Sequence, residues 1–334
     1  MVLPRVGITM GDPTGIGPEV IVKALAKADP YQACRPIVFG DQGVMLKTIK
    51  DLGIEASIEL VDRIPEEGYS PRKIYLFPVS HLNADSLLVG QPDKACGEAM
   101  VNAIRRATQR ILKGELDAMT TCSINKHAIH KAGYPFAGHT ELLAHLTGSP
   151  QVAMMFIGPS WRIVLVTTHL PLKKVSETIT RAHILSILQI TNQGMKQFFG
   201  ISRPKIAVLG LNPHCGEEGL LGEEEQREIL PAVREAQSLS IHVDGPFPAD
   251  SFFDVSSHRS FDAVISMYHD QGLIPVKISG FMEAVNFTLG LPFVRTSVAH
   301  GTAYDIARLG IANETNLIKA MVMASKLAKS RLNS

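Results

Sequence analysis

Short apolar runs rich in β-branched residues alternate along this chain with longer stretches whose apolar positions recur every three or four residues. That alternation predicts strands and helices in turn, and so an α/β protein with a mainly parallel sheet. Arg5 to Met10 is the first strand, followed by the turn Gly11-Asp-Pro-Thr-Gly-Ile-Gly17 and a helix to about Ala28. Pro18 and Glu19 suit the start of that helix, because proline needs no N–H donor there and glutamate meets the positive end of the dipole. Further strands are predicted at Pro36 to Gly40, Lys73 to Val79 and Asp117 to Thr121. Ala99, Ala103, Ala107 and Ile111, four apart, predict a helix from Gly97 to Lys113, and a short one follows from Asn125 to Lys131.

In the second half, Val152 to Ile157 and Arg162 to Thr168 flank Gly158-Pro-Ser160, the pattern of a hairpin inside an otherwise parallel sheet. Long helices are predicted from Val175 to Phe199, with a break at Gly194, and from Glu223 to Ser238. Lys277, Asn286 and Arg295 stand in three successive strand-like runs, and a helix from about Glu314 to Lys329 closes the chain. No repeat, low-complexity tract or flexible linker interrupts the pattern. Two lobes are expected, 1–138 with 290–334 and 139–289, joined by strands that cross between them.

Composition narrows the function classes. With 45% hydrophobic and 6% aromatic residues over 334 positions the chain has ample core, and a net charge of +1 offers no broad field for nucleic acid or an anionic membrane. An anionic substrate must therefore be held by local charge. Cys34, Cys96, Cys122 and Cys215 form no CxxC pair, which argues against a zinc ribbon or a disulfide framework and for a reducing cytoplasm. No signal-peptide core or apolar run of membrane-spanning length is present. A cytoplasmic enzyme without membrane or nucleic-acid partners is the expectation.

Candidate chemistry centres on three histidines. His169, His214 and His269 each stand where a strand-like run stops, in Arg162-Ile-Val-Leu-Val-Thr-Thr-His169, Lys205-Ile-Ala-Val-Leu-Gly-Leu-Asn-Pro-His214 and Phe261-Asp-Ala-Val-Ile-Ser-Met-Tyr-His269. The C-terminal ends of parallel strands are where open α/β sheets bind ligands, and three imidazoles with an open position make a catalytic metal site. Asp270 is placed to be a ligand, an orienting partner or a base, and Asp250 is a further carboxylate near the third histidine strand. His139-Thr-Glu141 puts an imidazole and a hydroxyl at a helix start, where anions are favoured, although Thr140 would equally serve as a simple N-cap. Gly11 to Gly17 matches neither GxxxxGK[ST] nor GxGxxG, so neither the Walker nor the Rossmann mechanism is supported.

Gly11-Asp-Pro-Thr-Gly-Ile-Gly-Pro-Glu19, Gly138-His-Thr-Glu141, Thr167-Thr-His-Leu-Pro171, Leu211-Asn-Pro-His214, Tyr268-His-Asp-Gln-Gly272, Val285-Asn286, Leu289-Gly-Leu-Pro292 and Arg295-Thr-Ser297 occur in this order over nearly the whole chain. Together they resemble the 4-hydroxythreonine-4-phosphate dehydrogenase family of pyridoxal phosphate synthesis. The loop His300-Gly-Thr-Ala-Tyr-Asp305 is similar to one of the wider isocitrate and isopropylmalate dehydrogenase superfamily that cradles NAD without a Rossmann fingerprint. The resemblance implies two α/β/α lobes with a mixed, mainly parallel sheet and an active site in the cleft between them. It implies His169, His214 and His269 as ligands of a divalent metal (Zn, Mg or Co), and His139, Thr140, Lys277, Asn286 and Arg295 as substrate contacts. His300, Gly301, Thr302 and Asp305 become cofactor contacts for NAD, or NADP, and Asp270, Asp250 and Lys277 the candidates for the general base. It further implies a homodimer whose active site lies at the subunit interface, with His269 supplied by the partner chain.

The implied reaction oxidises the C3 hydroxyl of 4-phosphooxy-L-threonine, with decarboxylation to 3-amino-2-oxopropyl phosphate. Sibling dehydrogenases act on 4-phospho-D-threonate, 4-phospho-D-erythronate or an aromatic dihydrodiol, and a non-catalytic metal-binding homologue is the alternative of another class. Departures bear on that choice. Thr121-Cys-Ser-Ile-Asn-Lys126 lacks a proline that many relatives carry at position 123, Ala299 replaces a common Asp, and Gly280-Phe-Met-Glu-Ala284 lacks a frequent glycine.

Overall fold

A computed structural model describes residues 3–254, 260–280 and 283–332. The chain divides into two compact units, 1–150 with 291–329 and 151–290 with 330–334. The segment from Gly280 to Ala284 singled out above therefore lies in part, at 281 and 282, outside the described residues. The class is the expected one, a mixed and mostly parallel α/β fold.

The first unit holds β1 (Arg5–Thr9), β2 (Arg35–Asp41), β3 (Ser57–Leu60), β4 (Lys73–Ser80), β5 (Ala118–Thr121) and, from late in the chain, β12 (Val294–Ser297). They lie in the order β3-β4-β2-β1-β5-β12 with every pair parallel. β1, β5 and β12 are buried almost throughout, as expected for central parallel strands covered on both faces. The pattern does not predict β3, whose edge position leaves most of its residues exposed. The unit's helices are α1 (Gly17–Leu25), α2 (Asp29–Ala33), α3 (Gln42–Leu52), α4 (Lys94–Leu112), α5 (Lys126–Lys131), α6 (His139–Thr147) and the closing α12 (Thr315–Leu332).

Helix α4 starts at Asp93, whose carboxylate accepts from the Cys96 N–H at 2.8 Å, and it buries Ala99, Ala103, Ala107 and Ile111 on the predicted face. A Cβ at Gly97 would stand 2.1 Å from the Ala128 carbonyl oxygen, so the close approach of α5 requires glycine there. Because α6 also packs on α4, residues 139–150 belong with this unit. The division falls at 150/151, not at 138/139, and it puts His139 and Thr140 in the same unit as Arg295.

The second unit holds β6 (Ala153–Ile157), β7 (Arg162–Leu165), β8 (Ile206–Leu209), β9 (Val243–Phe247), β10 (Ala263–Ser266) and β11 (Val285–Leu289) in the order β11-β6-β7-β10-β8-β9. β6 and β7 form the predicted antiparallel hairpin, β11 runs antiparallel to β6, and β7, β10, β8 and β9 are parallel neighbours. Its helices are α7 (Leu172–Thr178), α8 (Arg181–Phe199), α9 (Leu230–Ser238), α10 (Ala249–Phe252) and α11 (His269–Gly280). Trp161, Phe156 and Phe252 pack with Ile163, Leu165 and Leu209 in its core, each large side chain contributing roughly 1.5–3 kcal/mol by leaving water.

Two sequence expectations change here. The long helix breaks at Ile179–Thr180, where the Thr180 hydroxyl caps α8 by accepting from the His183 N–H, and not at Gly194. Gly194 lies inside α8, where a Cβ would meet Leu289 at 2.3 Å, so the glycine serves helix-to-strand packing. Lys277 lies on α11 and not in a strand: Gly272, Leu273 and Val276 are buried at helical spacing, and the apolar run that resembled a strand is the inner face of a helix. Among the described residues no helix is long and apolar enough to cross a membrane.

Candidate active site

The three histidines follow β7, β10 and β8, which are adjacent and parallel, so their loops emerge from one edge of the sheet. The loops are tied to one another. Thr167 Oγ1 donates to the Met267 carbonyl at 2.7 Å, and Gln271 takes the Met267 N–H on Oε1 while its Nε2 donates to the Gly210 carbonyl, both at 2.7 Å. His169 and His269 stand together, with ring centroids 5.8 Å apart. His269 Nδ1 bonds Asp270 Oδ1 at 2.7 Å, which fixes the ring and leaves Nε2 for a ligand.

His214 is exposed, in a turn beyond β8 where His214, Cys215, Glu217 and Glu218 all have φ between 41° and 57°. Left-handed backbone costs roughly 1–2 kcal/mol per non-glycine residue. Buried Glu225 offsets that cost: its Oε1 accepts from the Leu211 and Asn212 N–H groups at 2.7 Å, and its Oε2 accepts from Asn212 Nδ2 at 2.9 Å. Sequence reasoning misses Glu225 and Gln271, although Gln271 lies inside a quoted motif. Their signal was a polar residue on the buried side of a helix start. Among the described residues, no three His, Cys, Asp or Glu side chains of the single chain are grouped to hold a metal. Asp250 is exposed on α10, and Lys277 is exposed on α11.

In the first unit a second set of strand ends is tied together. β1, β5 and β12 are adjacent and parallel, and the loops after them carry Gly11–Gly17, Cys122–Asn125 and His300–Asp305. Tyr304 Oη donates to Asp12 Oδ2 and accepts from Asn125 Nδ2, both at 2.6 Å. The Ile16 N–H donates to the Thr302 carbonyl at 3.0 Å, and a Cβ at Gly15 would stand 2.8 Å from that same oxygen. Ser123 donates from Oγ to the His300 carbonyl at 2.5 Å, a bond proline cannot make. Gly301 and Asp305 are exposed, while His300 Nε2 is buried without a hydrogen-bond partner among the described residues, and burial lowers the pKa of its ring.

Two motif residues prove structural. Cys122 is fully buried against Gly11 and Gly17, burial pushing its thiol up to about 12, so it packs the turn and offers no nucleophile. Glu19 is buried, pairs with Lys23 at 2.9 Å and accepts from the Ala312 N–H, anchoring the segment after the His300 loop.

The first unit also assembles His139, Thr140 and Arg295. Helix α6 is capped by Gly138 with no side-chain cap bond, so Thr140 is not the N-cap; it is the buried second residue of the helix. His139 Nε2 is buried with no hydrogen-bond partner among the described residues, and burial, then the nearby positive Arg295, holds the ring well below its usual pKa. Arg295 is almost completely buried on β12, donates from Nη2 to Thr121 Oγ1 at 2.6 Å, and is pushed down by burial to about 9, with Glu141 supporting its charge. A buried cation, an imidazole seeking a partner and an uncapped helix start are together suited to an anion. In the second unit Asn286, on β11, likewise has a buried Oδ1 with no partner among the described residues.

Known proteins with this sequence pattern are consistent in kind. The family described as "Pyridoxal phosphate biosynthetic protein PdxA" matches residues 32–324. A 4-hydroxythreonine-4-phosphate dehydrogenase of Desulforapulum autotrophicum is 48% identical over 96% of this chain and 95% of its own length. A D-threonate 4-phosphate dehydrogenase of Cupriavidus necator is 41% identical over 98% of each. The solved 4-hydroxythreonine-4-phosphate dehydrogenase of Klebsiella pneumoniae superimposes with a TM-score of 0.90 at 37% identity, covering 97% of this chain and 99% of its own. With motif, fold and full-length identity in agreement, this chain belongs to the PdxA family.

Proposed function

We propose that this chain is a metal-dependent, NAD-linked dehydrogenase that oxidises the C3 hydroxyl of 4-phosphooxy-L-threonine, the resulting 3-oxo acid losing carbon dioxide to leave 3-amino-2-oxopropyl phosphate. The observation that carries this reading is the delivery of His169, His214 and His269 by three adjacent, mutually bonded strand-end loops, with Asp270 orienting His269. A divalent ion bound to these imidazoles supplies a Lewis acid that steadies negative charge on the substrate oxygen. NAD, or NADP, is the hydride acceptor, with His300, Gly301, Thr302 and Asp305 as its contacts. In a homodimer with the active site at the subunit interface, one imidazole crosses from the other chain. That imidazole is His269, as the family resemblance implies.

His139, Thr140 and Arg295 hold the substrate's phosphate or carboxylate, and Asn286 and Lys277 orient its polar groups. The candidates to accept the hydroxyl proton are Asp270, which bonds His269, together with Asp250 and Lys277. Mixed dimers of a His169→Ala chain with a His269→Ala chain regain one intact site if His269 crosses, and none if His214 crosses instead.

A second reading keeps this chemistry and takes 4-phospho-D-threonate as substrate, favoured by the 41% identity to the Cupriavidus necator enzyme. Side-by-side kcat/KM values for the two compounds separate the readings. A tenfold preference, about 1.4 kcal/mol, for 4-phosphooxy-L-threonine supports the first, and the reverse preference overturns it.

A further inference from the structure

In the first unit a cavity of about 440 Å3 opens between the C-terminal end of β4 and one side of α4, lined by Pro78, Val79, Ser80, His81, Asn102, Arg105, Arg106 and Gln109. Two guanidinium groups, an imidazole and two side-chain amides face it, and no carboxylate does. Arg105 is steadied by Tyr134, its guanidinium 5.7 Å from the ring centroid. Among the described residues His81, Asn102, Arg106 and Gln109 make no side-chain hydrogen bond or ion pair. Their donors are thus left for something outside the protein. In a chain of net charge +1 this is a local excess of positive charge, and it sits at the end of a parallel strand, where α/β sheets bind ligands.

We propose that this cavity is a binding site for a phosphorylated small molecule. Arginine forks and amide N–H groups match the several acceptor oxygens of a phosphate, and a doubly charged anion neutralises both Arg105 and Arg106 where a single carboxylate would leave one unmatched. Pro78 and Val79 give an apolar floor for the rest of the ligand. The site is separate from the Arg295 pocket: β4 and β12 are four strand spacings apart in the order β4-β2-β1-β5-β12, about 19 Å at the usual interstrand distance.

The test is calorimetric titration of the full chain with inorganic pyrophosphate at low ionic strength, in wild type, Arg106→Gln, Asn102→Ala and His139→Asn. Arg106 is exposed on a helix that glutamine suits, so that variant keeps the fold. Two binding events are expected in wild type. Arg106→Gln weakens one of them about tenfold or more, and Asn102→Ala weakens the same one, while His139→Asn affects only the other. Isotherms unchanged by both Arg106→Gln and Asn102→Ala overturn the proposal, whatever His139→Asn does. Loss of an event in Arg106→Gln with no effect of His139→Asn keeps it and removes the anion role of His139.

Discussion

Each unit uses three adjacent parallel strands to bring three loops to one sheet edge, yet the two edges are finished differently. After β1, β5 and β12 the loops are cross-linked by Tyr304, Asp12, Asn125 and Ser123, and the His300 ring buries its Nε2. After β7, β10 and β8 the bonds lie beneath, through Thr167, Gln271 and Glu225, and the imidazoles are left accessible above them. One topology thus yields a closed cradle in one unit and an open donor set in the other. Which it becomes depends on whether the polar side chains bond each other or the backbone below.

Breaking the open edge should have the largest effect. His214→Ala, at an exposed position, leaves the fold intact but abolishes bound metal and lowers turnover a hundredfold or more, on the order expected for loss of a charge-stabilising contact. Metal analysis beside kcat/KM checks it, and an unchanged metal content removes His214 from the site. Arg295→Gln comes next, since it removes a buried cation from the anion pocket. It should lower kcat/KM by about ten- to a hundredfold, mainly through KM for the phosphorylated substrate, with metal content unchanged.

Tyr304→Phe loosens the closed edge without touching the open one. It deletes the hydroxyl shared by Asp12 and Asn125 and should raise KM for NAD by about three- to tenfold, again with full metal content. An equal loss of metal would mean that the two edges are not independent.

The smallest effect is on pH dependence. Burial holds His139 well below 6.5 and lowers His300, so in the folded state both rings stay neutral at pH values where the unfolded chain protonates them. The unfolded state then binds more protons, and stability falls as pH drops below about 6.5, until the folded rings themselves titrate. Denaturant unfolding between pH 7 and pH 5 should show that decline, and His139→Asn should flatten it.

The strands that carry the histidines were readable from sequence because parallel strands covered on both faces are continuous apolar runs with abrupt ends. Their adjacency was not, since order in a sheet is set by long-range pairing that leaves no local mark. Lys277 was misplaced because the buried face of α11 contains an apolar run as short as a strand. Gly194 misled in another way: glycine signals a break only when local conformation needs it, and here it makes room for Leu289. The supporting residues Glu225 and Gln271 escaped because their role is to bond backbone groups of another loop. The anion pocket was half visible, through His139 and Arg295, while Thr121 and Glu141 joined it only once β5, β12 and α6 were assembled.

The central claim is that the open histidine edge works through a divalent metal, and NAD reduction with 4-phosphooxy-L-threonine before and after exhaustive chelation tests it most directly. The account predicts that activity is lost on chelation and restored by added zinc, magnesium or cobalt. Full activity in verified metal-free protein would contradict it.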